Sequence, residues 1–261
     1  MRQFVFVLGL AFGLVFAPLA VCAQSALDGV DLHSPAMTEA RLSRDEVAAR
    51  LAAGETDFSR QWLNGLDLSG LDFTGATLRA ARLNRVNLAG AVLDRAELSQ
   101  AWLMEADLTG ASMKGAQMFQ TQLTRAVLAG ADLTGARLAA DFTRADLRGA
   151  ILDGADFSAD MKNQSMGLMR GVLRNAEADG ASFRGARMMR ADLEFASLRG
   201  ADLSGADLSM ATLGGADLTG ADVAGAGFVD ADLTSARLRD LRGLEPGQLE
   251  GAKNLDRALR D

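Results

Sequence analysis

The feature that most constrains this chain is a large apolar residue that recurs at every fifth position. The series begins at Phe58, continues through Leu63 and Leu68, and gives 36 centres up to Leu238, of which 25 are leucine. Alanine stands two positions before the centre in 28 of these 36 units. An α-helix repeats every 3.6 residues and a β-strand every two, so neither element explains a period of five. The chain therefore predicts a repeat architecture in which each five-residue unit is one structural step.

A square coil is the geometry that fits this period, because each unit can then supply one side and one corner. Residues that are 20 apart stack, and successive coils pair like parallel strands at a spacing of ~4.8 Å. The centre and the alanine point inward, since so narrow a coil has no room for a second large side chain beside each leucine. The other three residues point to solvent. We expect about nine coils and a rod roughly 40 Å long.

The units also carry a family resemblance. Residues Ala131 to Gly135 read ADLTG and residues Ala206 to Met210 read ADLSM, following the pattern A-(D/N)-L-x-G. This pattern resembles the pentapeptide-repeat family, and the resemblance covers residues 56–240. It implies an all-β fold, a right-handed quadrilateral parallel β-helix with short helical caps. It implies very little about function.

The five-residue period is interrupted twice. The spacing is four between Leu138 and Phe142, and eleven between Phe157 and Leu168. We interpret the first break as a one-residue deletion. The second is interpreted as a one-residue insertion within Ser158–Gly167, with Leu168 as the first centre of a third run. This segment is expected to bulge from the rod, either as a tolerated irregularity or as a functional loop.

Both ends of the repeat are predicted to carry caps. Ser43 and Glu46 have the spacing of a capping box, and the helix that follows is expected to end before Gly54. Residues 24–55 are thus assigned to a leader, residues 24–37, followed by an N-terminal capping helix. Residues 241–261 form the predicted C-terminal cap, with one or two short helices, a helix start at Pro246 and apolar cover of the last coil. The residues expected to give this cover are Leu249, Leu255 and Leu259.

Residues 1–23 differ from the rest of the chain. A short positive start is followed by an apolar run, and Val21-Cys22-Ala23 places small residues before a cut at Gln24. This pattern is typical of a secretory signal peptide. It predicts a periplasmic or secreted protein with cleavage after Ala23 and no stable membrane insertion afterwards. Two alternatives are an uncleaved anchor and a lipoprotein at Cys22, the latter disfavoured by Val21.

The composition excludes most catalytic chemistry. His33 is the one histidine and Cys22 the one cysteine, so nucleophile–base pairs and His/Cys metal sites are excluded. We predict no enzyme activity, no cofactor and no metal site. The net charge of −7 argues against direct nucleic-acid binding. An acid precedes the centre in 16 of the 36 units. We interpret these acids as a charged coat bonded to turn backbone rather than as an acid–base pair or a Ca²⁺ site.

The acids are unevenly distributed along the chain. Residues Ala191 to Ser235 contain eight acids and one arginine, which predicts a negative end of the rod. Proteins of the quinolone-resistance type in the resembled family are described as DNA mimics that bind gyrase. The resemblance therefore implies an alternative function, an acidic mimic that binds a topoisomerase. The export signal opposes it, because gyrase is cytoplasmic.

Two outward columns are candidate partner-binding sites. Trp62, Arg82 and Trp102 are spaced by 20, so we expect them to stack with the arginine between two indoles. This column is either a recognition patch or a ladder that stiffens the first coils. Met169 and Met189 are a second outward pair, interpreted as a soft contact surface, with copper binding as the less favoured alternative.

The function predicted from the sequence is an exported, non-enzymatic module with a structural or protein-interaction role. Its protein partner is unknown. A homodimer through the C-terminal segment is a further hypothesis, implied by relatives that pair there.

Overall fold

Each five-residue unit forms one side of a four-sided coil in the computed structural model, which describes residues 31–158 and 169–260. The residue before each centre pairs with its counterpart in the next coil through a single parallel β-bridge. We number the sides face 1 to face 4 after their first paired residues, Asp57, Trp62, Asp67 and Asp72. Bridges in the first coils join residues 20 apart, such as Trp62 and Arg82, as the period predicts.

The core is a continuous column of the predicted centres and alanines. Every described centre from Phe58 to Phe228 is at most 2% exposed, and burying each leucine contributes ~1.5–3 kcal/mol. Phenylalanine centres are in contact where they occur close together, as with Phe58 and Phe73, whose ring centroids lie 5.8 Å apart. In the first coil, Leu66 and Leu71 replace alanine and are partly buried against the core.

The corner of each unit is a tight turn. The carbonyl of the centre accepts a hydrogen bond from the N–H three residues later, as between Phe73 and Ala76 at 2.9 Å. The residue two after the centre has a positive φ, for example +67° at Gly75. A positive φ at the third turn residue is the requirement of a type II turn, and glycine meets it without steric cost.

Glycine and non-glycine corners are segregated around the rod. The corner between faces 3 and 4 and the corner between faces 4 and 1 are almost entirely glycine. Among the described residues, 16 non-glycine corner residues have a positive φ, and 14 of them lie on the two corners that flank face 2. The corner between faces 1 and 2 holds Arg60, Ala80, Gln100, Gln120, Arg190, Met210 and Asp230; the corner between faces 2 and 3 holds Arg85, Glu105, Arg125, Arg144, Asn175, Phe195 and Ser235.

The two register breaks lie at one corner in consecutive coils. Face 2 pairs Gln122 with Asp141, 19 residues on, which confirms the predicted deletion. Asp141 then pairs with Val172, 31 residues on, so eleven residues are added rather than one. Leu168, the predicted first centre of the third run, lies outside the described residues. Val172 and the residue after it supply the side that follows Phe157. Residues 159–168, including most of the predicted bulge, lie outside the described residues.

Gly171 returns the chain to the coil at a point where no side chain fits. A Cβ atom there would lie 2.6 Å from Cδ1 of Phe157 and 3.1 Å from the carbonyl oxygen of Leu138. The N–H of Gly171 donates to the Phe157 carbonyl at 2.8 Å. The inserted segment is therefore closed by a backbone contact between residues 14 positions apart in the chain.

The N-terminal cap contains two helices, α1 (Pro35–Thr38) and α2 (Arg44–Ala52). The predicted capping box is present, with Ser43 and Glu46 bonded reciprocally. Val47 is fully buried against the core. The assignment of residues up to 37 to a flexible leader is wrong for α1, because Met37 is only 4% exposed.

The C-terminal cap continues the coil instead of forming helices over it. Lys253 pairs with Asp232 and Leu259 pairs with Arg237 through parallel bridges. The described part of this segment contains one 3-10 helix, Leu255–Arg257. Pro246 lies in a turn, so the predicted helix start there is wrong. Leu249 and Leu255 do pack on the core, whereas Leu259 is 47% exposed and does not cover it.

Among residues 31–158 and 169–260, no helix has the length and apolar character that a membrane span requires. The predicted signal segment, residues 1–23, lies outside the described residues.

We expect Ala80→Gly to raise the free energy of unfolding. Ala80 has a φ of +54°, and relief of a left-handed alanine is worth ~1–2 kcal/mol. The added entropy of the unfolded chain offsets only ~0.4–1 kcal/mol of this gain. Urea unfolding followed by circular dichroism measures the difference.

The matched control is Gly110→Ala at a glycine corner. A Cβ atom at Gly110 would meet nothing within 4 Å, so the substitution isolates the backbone effect at a φ of +62°. We expect a loss of about 1 kcal/mol. Equal changes of the same sign in both variants would contradict the argument from corner strain.

Candidate functional site

The aspartates that precede the centres bond to their own turns. In residues 107–111, four of the five backbone N–H groups donate to backbone carbonyls of the neighbouring coils or of the turn. The fifth, the N–H of Thr109, donates to Oδ1 of Asp107 at 2.9 Å. This contact is an Asx turn, and it completes the hydrogen bonding of the unit's N–H groups.

The same contact recurs around the whole rod. Every aspartate that precedes a described centre accepts the N–H two residues later, and Asn87 and Glu97 do so as well. The aspartates are Asp57, Asp67, Asp72, Asp107, Asp132, Asp141, Asp146, Asp156, Asp192, Asp202, Asp207, Asp217, Asp222 and Asp232. The predicted bond between these acids and turn backbone is confirmed.

Hydrogen bonding holds several of these carboxylates in the ionised form. The hydroxyl and then the N–H of Ser59 lower the pKa of Asp57 below its ordinary value. The Thr234 hydroxyl, 2.6 Å from Oδ1 of Asp232, is the largest cause that lowers the pKa of that aspartate. A carboxyl with a lowered folded-state pKa stabilises the fold above its unfolded pKa of about 3.9. That contribution is lost as the pH falls through the lower folded-state value.

In some units without an acid before the centre, the N–H of the residue after the centre donates to a side chain of the coil below. We call such a side-chain acceptor an N–H cap. Oδ1 of Asn64 accepts the N–H of Asn84 at 3.0 Å, and Oδ1 of Asn84 accepts the N–H of Met104 at 3.2 Å. The units of Ser112, Ser182 and Ser197 are capped in the same way by Asp94, Asp153 and Asp179. The position before the centre is then free for another side chain. On face 2 the side chains in those freed positions are Arg82 and Trp102.

The predicted column on face 2 is present as a stack of parallel bridges. Trp62 pairs with Arg82, and Arg82 pairs with Trp102. The Arg82 guanidinium carbon lies 4.8 Å from the Trp102 ring centroid. Arg82 therefore lies between the two tryptophans of the column, as expected, while Trp62 has a further cation–π contact with Arg41 of the N-terminal cap at 3.5 Å. Both indoles are half-buried.

Two polar atoms beside Trp102 have no hydrogen-bond partner among the described residues. They are Nη1 of Arg82 and Oε1 of Gln122, and both atoms are buried. Burial lowers the pKa of Arg82 from its ordinary value. Gln122 follows Trp102 on face 2 and is 8% exposed. Face 2 therefore carries hydrogen-bonding capacity that the described part of the fold does not use.

The two candidate methionines do not stack. Met169 lies at the corner between faces 1 and 2, where its sulfur accepts a hydrogen bond from Nε2 of Gln120 at 3.2 Å. Met189 lies on face 1, in the unit that pairs with Asp156, and is 38% exposed. The predicted vertical pair is wrong, because the eleven-residue insertion removes the spacing of 20 between the two coils.

The acids of residues 191–235 are spread over all four faces. Asp192 is 2% exposed and pairs with Arg170 at 3.1 Å and Arg174 at 2.7 Å. Four other acids of the stretch also form ion pairs with residues outside it: Glu194, Asp202, Asp217 and Asp230. Among the described residues, no group of three or more His, Cys, Asp or Glu side chains is placed to hold a metal ion.

The sequence did not predict the positions of three sets of residues on or beside face 2. Arg41 comes from the cap, where no repeat predicts its position. Asn64 and Asn84 looked like ordinary outward residues. The non-glycine corners had a signal in the sequence, because glycine is scarce at two of every four corners. Only the pairing shows that both of these corners border one face.

A family model for pentapeptide repeats matches the chain in eight copies, at residues 54–88, 72–110, 103–139, 140–159, 172–205 and 201–240. The chain belongs to the pentapeptide-repeat family. Its members form right-handed quadrilateral β-helices, which confirms the predicted fold class. They are generally structural or interaction modules rather than enzymes.

Solved structures of the family include two that match most of the chain. Full-length QnrB1, a plasmid-mediated fluoroquinolone resistance protein, is 18% identical over 74% of this chain and 92% of its own, with a TM-score of 0.51. HetL, involved in heterocyst differentiation regulation in the cyanobacterium Nostoc sp. strain PCC 7120, is 29% identical over 84% of this chain and 100% of its own, with a TM-score of 0.35. A search of the curated proteins finds no significant match.

We expect Asp107→Ala to destabilise the fold by about 1 kcal/mol, because the N–H of Thr109 loses its acceptor. Asp107→Asn is the control, since Asn87 makes the same contact one coil below. The asparagine variant should lose less than about 0.5 kcal/mol. Thermal and urea unfolding measure both. An equal loss in the two variants would mean that charge, rather than the hydrogen bond, carries the effect.

Proposed function

We propose that this chain is an exported, non-enzymatic solenoid that serves as a structural or protein-interaction module. The observation that carries the proposal is the bonding of every aspartate before a described centre to its own turn. These carboxylates are the most numerous potential acids and bases on the rod. Their hydrogen bonds to the turns explain why aspartate recurs at this position without a catalytic role. Side chains presented on rigid faces are what the fold then offers to other molecules.

Export rests on the sequence of residues 1–23. We expect a fusion of residues 1–30 to a reporter that is active only after export to give reporter activity. A fusion in which the apolar run carries two arginines is the control, because charges within this run block its recognition as a signal. An inactive wild-type fusion would contradict export and would favour a cytoplasmic function.

The second candidate function is an acidic mimic that binds a topoisomerase. The excess of acids in residues 191–235 favours it, and the likeness to QnrB1 supports the fold alone. The spread of these acids over four faces and their pairing with arginines weigh against a single negative face. Inhibition of gyrase supercoiling by the purified chain is the measurement that would favour this candidate.

The protein partner is proposed to contact the Trp62, Arg82 and Trp102 column. We expect Trp102→Ala to reduce capture of a partner from periplasmic extract by about ten-fold, because half-buried aromatic residues beside arginine are frequent centres of binding energy. Ile151→Ala is the control, since Ile151 holds the same repeat position on face 4 and is 40% exposed.

Circular dichroism should be unchanged in both variants. Equal capture by the Trp102→Ala and wild-type chains would exclude this column as the contact. A second copy of the chain is a further proposed partner, through the C-terminal segment. Leu244 and Leu259 there are 44% and 47% exposed, and pairing would cover them.

A further inference from the structure

Backbone strain is concentrated on the two borders of face 2. The 14 non-glycine residues with positive φ at these corners include arginine, glutamine, phenylalanine and methionine, which rarely adopt this conformation. Glycine fills nearly all of the equivalent positions on the borders of face 4, where Arg95 and Asp240 are the described exceptions, so the fold itself accepts glycine at a corner. Strained residues persist where a side chain is needed, and such positions cluster at binding surfaces. The side chains that border face 2 are therefore candidates for a role outside the fold.

Charge separates face 2 from the rest of the rod in the first five coils. Over residues 56–155, the positions before the centres on face 2 and the positive-φ positions of its two corners have a net charge of +3, and all other residues together have a net charge of −4. The charged residues in those positions are Arg60, Arg82, Arg85, Arg125 and Arg144, with Glu105 and Asp141. A basic strip thus runs along one side of a chain whose total charge is −7.

The basic strip is ordered by contacts within the fold. Oε2 of Glu105 accepts a hydrogen bond from Nε of Arg85 at 2.9 Å, and Oε1 of Glu105 lies 3.7 Å from Nη1 of Arg125. This row holds two guanidinium groups along the corner between faces 2 and 3, each more than half exposed. Preordered arginines lose less side-chain freedom when they meet a carboxylate. Beside them, the Arg82 guanidinium lies over the Trp102 ring, 4.8 Å from its centroid.

We propose that face 2 between Arg60 and Arg144 is a docking surface for an acidic, extended polypeptide segment that lies along the rod. The inference rests on the proposed function as an interaction module and names the chemistry of its partner. Carboxylates of the segment pair with the arginines of the two corners, and its aliphatic parts lie on the indoles of Trp62 and Trp102.

An extended segment fits the dimensions of this surface. From Arg60 to Arg144 the strip crosses four coil spacings of ~4.8 Å, about 19 Å, which equals about six residues of extended chain. Glu105 and Asp141 interrupt the cations, so the strip suits spaced carboxylates better than a continuous row of phosphates. The net charge of −7 also repels a long polyanion that reaches beyond the strip.

Intrinsic fluorescence gives a probe that reports on face 2 alone. The chain has two tryptophans and no tyrosine, and both tryptophans lie on this face. We would titrate the full chain with a blocked peptide of about eight alternating glutamate and alanine residues, which has no fluorescence of its own. We expect a saturable change in tryptophan emission that weakens as salt is added, and no change with the matching glutamine–alanine peptide.

Two triple variants assign the contact to the strip. Arg85→Gln, Arg125→Gln and Arg144→Gln together should weaken peptide binding about ten-fold or more. Arg95→Gln, Arg137→Gln and Arg148→Gln remove the same charge from other faces in the same coils and should weaken it less than about two-fold. Circular dichroism and unfolding midpoints establish that both proteins are folded. Glutamine is used instead of glutamate because charge reversal would place three further acids near Glu105.

Three results would overturn the proposal. The first is no saturable emission change with the glutamate peptide, and the second is an equal loss of binding in the two triple variants. The third is an eight-nucleotide oligothymidylate that binds as tightly as the peptide and is weakened to the same extent by the face 2 triple variant. That result would make the strip a general polyanion surface. Capture of a protein partner that survives the face 2 triple variant would leave the proposed function standing while this inference fails.

Discussion

The structure depends on how a five-residue unit satisfies its backbone N–H groups. Four of them find carbonyls, one across the turn and three in the coils above and below. The fifth lies at the start of the corner and needs a side-chain acceptor in most units. Because an unpaired backbone group is costly, the acceptor recurs with the repeat, and this recurrence is the row of aspartates in the sequence. The charged surface of the rod follows from its turn chemistry.

The two ways of capping this N–H decide what the surface can present. A carboxylate in the position before the centre accepts the N–H of its own turn, so that position cannot hold another type of side chain. A cap from the coil below, such as Asn64 or Asn84, releases the position for a different residue. Arg82 and Trp102 lie on face 2 because buried asparagines beneath them have taken over the cap. A local hydrogen bond and a candidate recognition surface are therefore coupled.

Corner conformation adds a second asymmetry to a nearly symmetric coil. All four corners require a positive φ, so glycine is the least costly residue at each of them. The chain uses mostly glycine along the borders of face 4 and mostly residues with larger side chains along the borders of face 2. The side with more strain also carries the basic strip, both tryptophans and the contact from the cap through Arg41. One side of the rod is thus distinguished by backbone, charge and aromatic content together.

The sequence by itself determined the period, the inward residues and the family of the fold. Spacing alone identifies Leu63 as core and Asp107 as outward, because a narrow coil repeats the same environment every five residues. It located the second register break but did not determine its length, since eleven added residues equal two units plus one and so shift the period of five by a single residue. It also did not determine that Arg41 covers Trp62, or that Met189 lies in the unit that pairs with Asp156 and not above Met169. Those contacts join residues at spacings other than 20, and only the path of the folded chain through its insertion and caps decides them.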